Sequence, residues 1–160
     1  MSESIVRAAG GVDIPTLVLH RRAMFEEMGL RAGAPFSDET LDRVDRAYAA
    51  LLPDALGRTQ FGFVVDGLAG ASPVASAMLW FAPWQPSPRV PNGSMAYVHG
   101  VWTEPAHRGR GYARTLTEAV VAHARACGHP RVVLHASEAG RSIYEKLGFV
   151  AGSEMVLSLT

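Results

Sequence analysis

Cysteine is nearly missing: the 160 residues contain one, Cys127. A single thiol cannot close an intramolecular disulfide, so a packed core rather than covalent staples must hold the fold. Nothing in the sequence activates Cys127 as a nucleophile, and its place at the end of a helical pattern predicts a small buried thiol. Net charge is missing too, since fifteen Lys and Arg balance fifteen Asp and Glu. That balance excludes a surface-wide positive field for nucleic acid or an acidic membrane. No stretch approaches the roughly 20 apolar residues that a membrane-spanning helix needs. The N-terminus lacks the basic-then-apolar order of a secretory signal. The expectation is a soluble, cytoplasmic protein. His, Cys and Asp never fall at metal-ligand spacing, so no metal is expected. Repeats, low-complexity tracts and linkers are also absent. A single domain spanning 1–160, with 48% apolar residues, is expected to bury a sizeable core.

What is there reads as alternating strands and helices. Ser4 to Ala9 predicts a first strand, ended by Gly10-Gly11. Asp13 as N-cap and Pro15 in the first turn predict a helix from Ile14 to Met28, with Leu17, His20 or Arg21, Met24 and Met28 at helical spacing and Gly29 as its stop. Ser37 opens a second helix as a capping box with Thr40 in the third position. Leu41, Val44, Tyr48, Leu51 and Leu52 form its stripe, and Pro53 is expected to end it. Gln60–Asp66 and Val74–Phe81 predict a hairpin. Pro83, Pro86, Pro88 and Pro91 stiffen the loop that follows. Strand 95–102, helix 110–127 stopped by Gly128, a central strand Arg131–Ala136, a short helix Gly140–Leu147 stopped by Gly148, and strands Phe149–Ala151 and Met155–Leu159 complete the order. The pattern predicts a mixed sheet with helices on its faces.

The most informative stretch is Ala96 to Arg114. An apolar run stops at Thr103-Glu104-Pro105, a basic glycine-bearing loop Arg108-Gly109-Arg110-Gly111 follows, and a helix begins at Tyr112. Glycines let backbone approach a ligand closely, and first-turn N–H groups have no partner inside the helix. Together they suit a phosphate. The loop matches neither G-x-x-x-x-G-K-[ST] nor G-x-G-x-x-G, which sets aside the usual nucleotide loops. A second segment, Ser142 to Phe149, reads as an amphipathic helix with a left-handed glycine stop. Its Tyr144 carries a hydroxyl that can donate a proton.

These two segments, in this order, with a strand between, resemble the GNAT superfamily of acetyl-CoA-dependent N-acetyltransferases. Arg108, Gly111 and Ala113 occupy the fixed positions of its R/Q-x-x-G-x-G/A loop. His135-Ala136-Ser137, Gly140-Arg141 and Tyr144-Glu145-Lys146-Leu147-Gly148-Phe149 resemble its C-terminal motif. The resemblance implies an α/β (α+β) fold with a mixed, mostly antiparallel sheet of six to seven strands and about four helices. It implies acetyl-CoA as co-substrate and direct transfer of acetyl to a primary amine of a small molecule or peptide. It further implies that N–H groups of Gly109, Arg110, Gly111, Tyr112 and Ala113 hold the pyrophosphate, with Arg108, Arg110 and Arg114 adding charge. The strand end Val101-Trp102-Thr103 would splay from Val132–Leu134 and admit the pantetheine arm, with Ser137 and Arg141 on the cofactor side. Tyr144 would protonate the departing thiolate.

A transferable amine must be uncharged, so a proton acceptor or a water route is needed. His99 and Glu104 are the candidates, with Tyr97 beside them, because period-2 spacing puts Tyr97, His99 and Val101 on one strand face. Glu26 or Glu27 could hold a cationic amine, and Trp84 is the best cleft candidate among the tryptophans. His107, His123 and His129 read as surface residues. The alternative function is a non-catalytic acyl-CoA-binding or regulatory module, and the acyl group could exceed acetyl in length. A nucleic-acid role for Arg108, Arg110 and Arg114 conflicts with the neutral total. For assembly, a homodimer is the commonest arrangement of soluble proteins.

Overall fold

The structure is a computed structural model that describes residues 6–159. Five strands form one sheet in chain order: β1 (Val6–Ala8), β2 (Gln60–Val65), β3 (Ala75–Pro83), β4 (Ser94–Thr103) and β5 (Val132–Leu134). β1 through β4 run antiparallel, whereas β4 and β5 run parallel across α3 (Tyr112–Ala126). α1 (Ile14–Arg31) and α2 (Asp38–Ala55) follow β1, and α4 (Arg141–Lys146) follows β5.

Strand periodicity sorts the core into two layers. Ala75, Ala77, Leu79, Ala96 and Val98 face α3 and pack on Leu116, Val120 and Ala124. Three of those five strand residues are alanines, so α3 can lie close to the sheet. Met78 and Val64 face the other way and pack with Leu17 of α1 and with Tyr48 and Leu52 of α2. Each large side chain buried here contributes about 1.5–3 kcal/mol of transfer free energy.

Several expectations are corrected. The sheet has five strands among the described residues, not six or seven. The segments Phe149–Ala151 and Met155–Leu159 alternate like strands but pair with nothing, and Met155, Val156, Leu157 and Leu159 are exposed. β5 is consequently a half-buried edge strand rather than a central one. Of the Ser4–Ala9 strand, Ser4 and Ile5 lie outside the described residues. α1 runs past Gly29, which is buried because a Cβ there would press on Pro35 Cα at 3.1 Å and Ala34 O at 3.2 Å. The left-handed residue past that helix end is Gly33, at φ +68°. Pro53 lies inside α2, where near the last turn it removes one backbone bond without breaking the helix. Asp13 stands at the N-cap position of α1 without a capping bond, its carboxylate turned to Arg7 and to the Gly10 N–H. Ser37 does cap α2, accepting from the Thr40 N–H at 3.2 Å. Cys127 is exposed, not buried. His123 and His129 pack on the Phe81 ring instead of standing free.

Candidate functional site

β4 is where the sheet opens. It pairs with β5 only at Ala96↔Val132, Tyr97↔Val133 and Val98↔Leu134. Its register with β3 then jumps from Met78↔His99 to Ser76↔Trp102, so Gly100 and Val101 together oppose Ala77. This is a β-bulge, and a bulge bends and twists its strand. Gly100 sits at φ +61°. A Cβ there would make only ordinary contacts with Met78, at 3.5 Å to Cγ and 3.8 Å to Cβ, so conformation rather than space calls for glycine. With β5 ended and β4 bent, the last residues of β4 line a wedge with no strand on their free side. Regular-strand reasoning over 95–102 missed the bulge, although a lone glycine inside an apolar strand signals one.

Beyond the wedge lies the glycine loop. Gly109 and Gly111 adopt φ +75° and +81°, and no atom lies within 4 Å of a Cβ built on either. The Thr115 N–H bonds Gly111 O at 3.0 Å as α3 begins. Among the described residues, no backbone acceptor is bonded by the N–H groups from Gly109 to Arg114. A curl of free N–H groups at the positive end of a fifteen-residue helix, open where a Cβ would project, fits a phosphate or pyrophosphate. The arginines are engaged differently from the expectation. Arg108 bridges to Glu27 at 2.6 and 3.2 Å, donates from Nε to Thr103 O at 3.0 Å, and lies over the Trp102 ring at 4.7 Å. It therefore clamps the loop to α1. Arg114 pairs with Glu118 on its own helix. Arg110 is exposed and has no ion-pair partner among the described residues.

The profile of the Acetyltransferase (GNAT) family matches residues 21–149. The chain belongs to the GNAT acetyltransferase family. A comparison with curated proteins gives no match. Solved structures match closely. A GCN5-related N-acetyltransferase from Ralstonia eutropha JMP134 shares 28% identity at a TM-score of 0.82, over 96% of this chain and 97% of that one. A protein from Clostridium acetobutylicum described as a predicted acetyltransferase, solved with acetyl-CoA, has the same fold at 24% identity and TM-score 0.81, over 96% and 94% of the two chains. An acetyltransferase from Trypanosoma brucei aligns at 25% identity and TM-score 0.64, over 96% and 98%.

The remaining GNAT-motif residues lie past β5. Tyr144 of α4 is half-buried, edge-on to Phe149, and burial pushes its hydroxyl pKa up. A Cβ on Gly140 would come within 3.0 Å of its ring, so that glycine seats the tyrosine. Ser137 Oγ accepts the Gly140 N–H at 3.1 Å, so it shapes the turn into α4. Arg141 is exposed at the start of that helix.

On the α1/α2 side, His99 is held at both nitrogens. Its Nε2–H donates to Gln60 Oε1 at 3.1 Å and its Nδ1 accepts from Arg21 Nη1 at 3.0 Å. Burial first, and then the Arg21 charge, lower its pKa to about 3. The imidazole is neutral, and its lone pair is occupied. Glu104 lies 3.3 Å from Nε2 of the buried His20, whose Nδ1 meets Ser76 Oγ at 2.9 Å. Burial holds His20 below its ordinary pKa despite Glu104. Glu26 is paired with Arg22 at 2.9 Å, and Glu27 with Arg31 and Arg108. Trp84 is exposed in the proline loop, its backbone N–H donating to Gly93 O at 2.8 Å.

Three residues that the sequence reading did not assign converge here. Tyr97 Oη donates to His135 Nδ1, and His135 Nε2–H donates to Glu154 Oε1 at 2.9 Å. The chain runs from the sheet face, where Tyr97 is half-buried, to a carboxylate that is largely exposed. Arg21 is the third addition, seated over the Phe25 and Tyr48 rings at 4.9 and 4.7 Å. Apart from Arg21 on Phe25, one turn along α1, these contacts cross about 20 to 80 positions of sequence, and no local pattern announces them.

Proposed function

We propose that the protein transfers an acetyl group from acetyl-CoA to the amine of a small molecule or peptide, by direct attack within a ternary complex. The single observation that carries this is the coincidence of a bulged β4 end, beyond its pairing with β5, with a glycine curl of free N–H groups at the start of α3. The fold and family membership support the same reading. When bound, acetyl-CoA supplies an activated thioester; everything else is the work of the chain.

In this reading, the N–H groups of Gly109 to Arg114 bind the pyrophosphate, and Arg108 fixes the loop rather than touching phosphate. The outward backbone edge at Val101, up to Thr103 whose O is already taken by Arg108 Nε, bonds the pantetheine arm as a strand would. Tyr144, kept protonated by burial, donates to the sulfur as it leaves. The acceptor's proton does not go to His99, whose nitrogens are both engaged and whose basicity is very low. It leaves through Tyr97, His135 and Glu154. Tyr97 is itself held above its usual pKa, chiefly by burial, so it passes a proton along the hydrogen bond rather than storing a charge.

The test is release of free CoA thiol from acetyl-CoA against a panel of primary amines. Turnover with at least one amine, several-fold above acetyl-CoA hydrolysis alone, is the expected result. Tight acetyl-CoA binding with no turnover on any amine would instead make the protein an acyl-CoA-binding module.

A further inference from the structure

On the α1 side of the sheet, Arg21 is a cation without a carboxylate partner among the described residues. Across the sheet, Gln60, Trp80, Tyr97 and Val133 lie in one row, adjacent to the row of Gly62, Met78 and His99. Met78 lies in the core packed by α1 and α2, whereas Trp80 is exposed and Tyr97 only half-buried. Trp80 and Tyr97 thus present neighbouring aromatic side chains on the sheet face that also carries His99. Arg21 projects from α1 toward it. Its guanidinium is stacked on Phe25 and Tyr48, and one Nη donates to neutral His99.

That arrangement is not built for an ion pair within the protein. Among the described residues no carboxylate pairs with Arg21, although neighbouring acids are plentiful. Glu26 is taken by Arg22, Glu27 by Arg31 and Arg108, and Glu104 faces His20. Gln60 fixes the His99 tautomer so that a lone pair, not an N–H, faces the guanidinium. The ring stacking holds the plane while leaving the other N–H donors unspent. A half-buried guanidinium supported by neutral groups only is costly to fold unless a ligand supplies the anion. Burial and then the Glu154 charge raise the Tyr97 pKa, and the Arg21 charge offsets part of that rise, which sets the guanidinium within reach of the proton route.

We propose that Arg21 is the anion-recognition residue of the acceptor pocket, and that the acceptor is a small primary amine bearing a carboxylate or a phosphate. This rests on the acetyltransferase reading of the same cleft, and it reverses the expectation that Glu26 or Glu27 selects a cationic amine. The amine points toward Tyr97 and the oxyanion toward Arg21, with any apolar part over Trp80.

The experiment compares L-phenylalanine with L-phenylalaninamide, and O-phosphoethanolamine with ethanolamine, by CoA release at saturating acetyl-CoA. Wild type, Arg21→Gln and Arg21→Lys are assayed, with folding checked by circular dichroism and acetyl-CoA affinity by calorimetry. The expected result is a kcat/KM at least tenfold higher for the anionic member of one pair; which pair responds tells carboxylate from phosphate. Arg21→Gln should remove that preference through KM, by about 10- to 100-fold, and Arg21→Lys should restore part of it. The amide's amine sheds its proton more readily, so the first comparison is biased against the expected result. Equal or better use of the neutral members, equal loss on both members in Arg21→Gln, or turnover of neither anionic probe would overturn the proposal. Failure of the wild type to bind acetyl-CoA would overturn the acetyltransferase reading itself, a distinct outcome.

Discussion

Tyr144 and His99 show how burial assigns opposite chemical duties to two side chains that look equally reactive in sequence. A buried phenol resists ionisation, so Tyr144 stays a proton donor through the neutral range. Burying an imidazole also favours its neutral form, and the Arg21 charge pushes the same way, so His99 cannot take a proton near pH 7. Tyr144→Phe is expected to lower kcat by tenfold or more while leaving acetyl-CoA affinity within about twofold. Steady-state kinetics alongside calorimetry checks both, and unchanged turnover would take Tyr144 out of the mechanism. The tyrosine was legible because it lies in a motif with fixed neighbours. The neutrality of His99 was not, because Gln60 and Arg21 reach it from β2 and α1.

At the scale of elements, α3 depends on the loop that precedes it. Gly111 holds φ +81° with empty space on its Cβ side. Alanine there is sterically free but conformationally strained, at about 1–2 kcal/mol, so Gly111→Ala should lower Tm by several degrees. Gly111→Trp fills the open side and is expected to abolish acetyl-CoA binding by calorimetry in a chain that still folds. Retained affinity would contradict the cradle. The strand–loop–helix order was readable from Ala96 to Arg114, because turn residues and helix periodicity are local. The bulge at Gly100 and Val101 was only hinted at by one glycine, since a register shift is a property of two strands.

For the molecule as a whole, one ion cluster ties the chain's beginning to its middle. Arg7 of β1 holds Asp13 with two bonds of 2.9 Å and Asp66, just past β2, with two of 2.7 Å. Asp13 is buried and also accepts the Gly10 N–H at 2.8 Å. The Arg7 hydrogen bonds hold both carboxylates below their ordinary pKa. A carboxylate with a depressed folded pKa contributes stability that is present above its unfolded value, near 4, and lost as pH falls through the depressed value. Thermal melts should therefore decline as pH falls below about 6.5, where His99 and His20 take protons only in the unfolded chain, and fall more steeply below about pH 4 as the two carboxylates are protonated. Asp13→Asn should begin lower and lose part of that acid slope. Asp13→Ala is expected to cost about 2 kcal/mol, because Arg7 and the Gly10 N–H lose a buried acceptor.

By itself the sequence determined most of the elements and the glycine loop before α3, because helix periodicity, strand alternation, caps and glycine turns act over a few residues. It overstated the sheet, since the alternation of Met155, Leu157 and Leu159 states a preference and a strand still needs a neighbour to pair with. Tertiary structure decided which groups hold a charge and which hold a proton. Glu26 and Glu27 were matched to arginines, His99 was neutralised, Tyr97 was joined to His135 and Glu154, and Arg21 was left without a paired acid among the described residues. Each outcome depends on desolvation and on a partner far away in the chain, and neither exists until the helices close over the sheet.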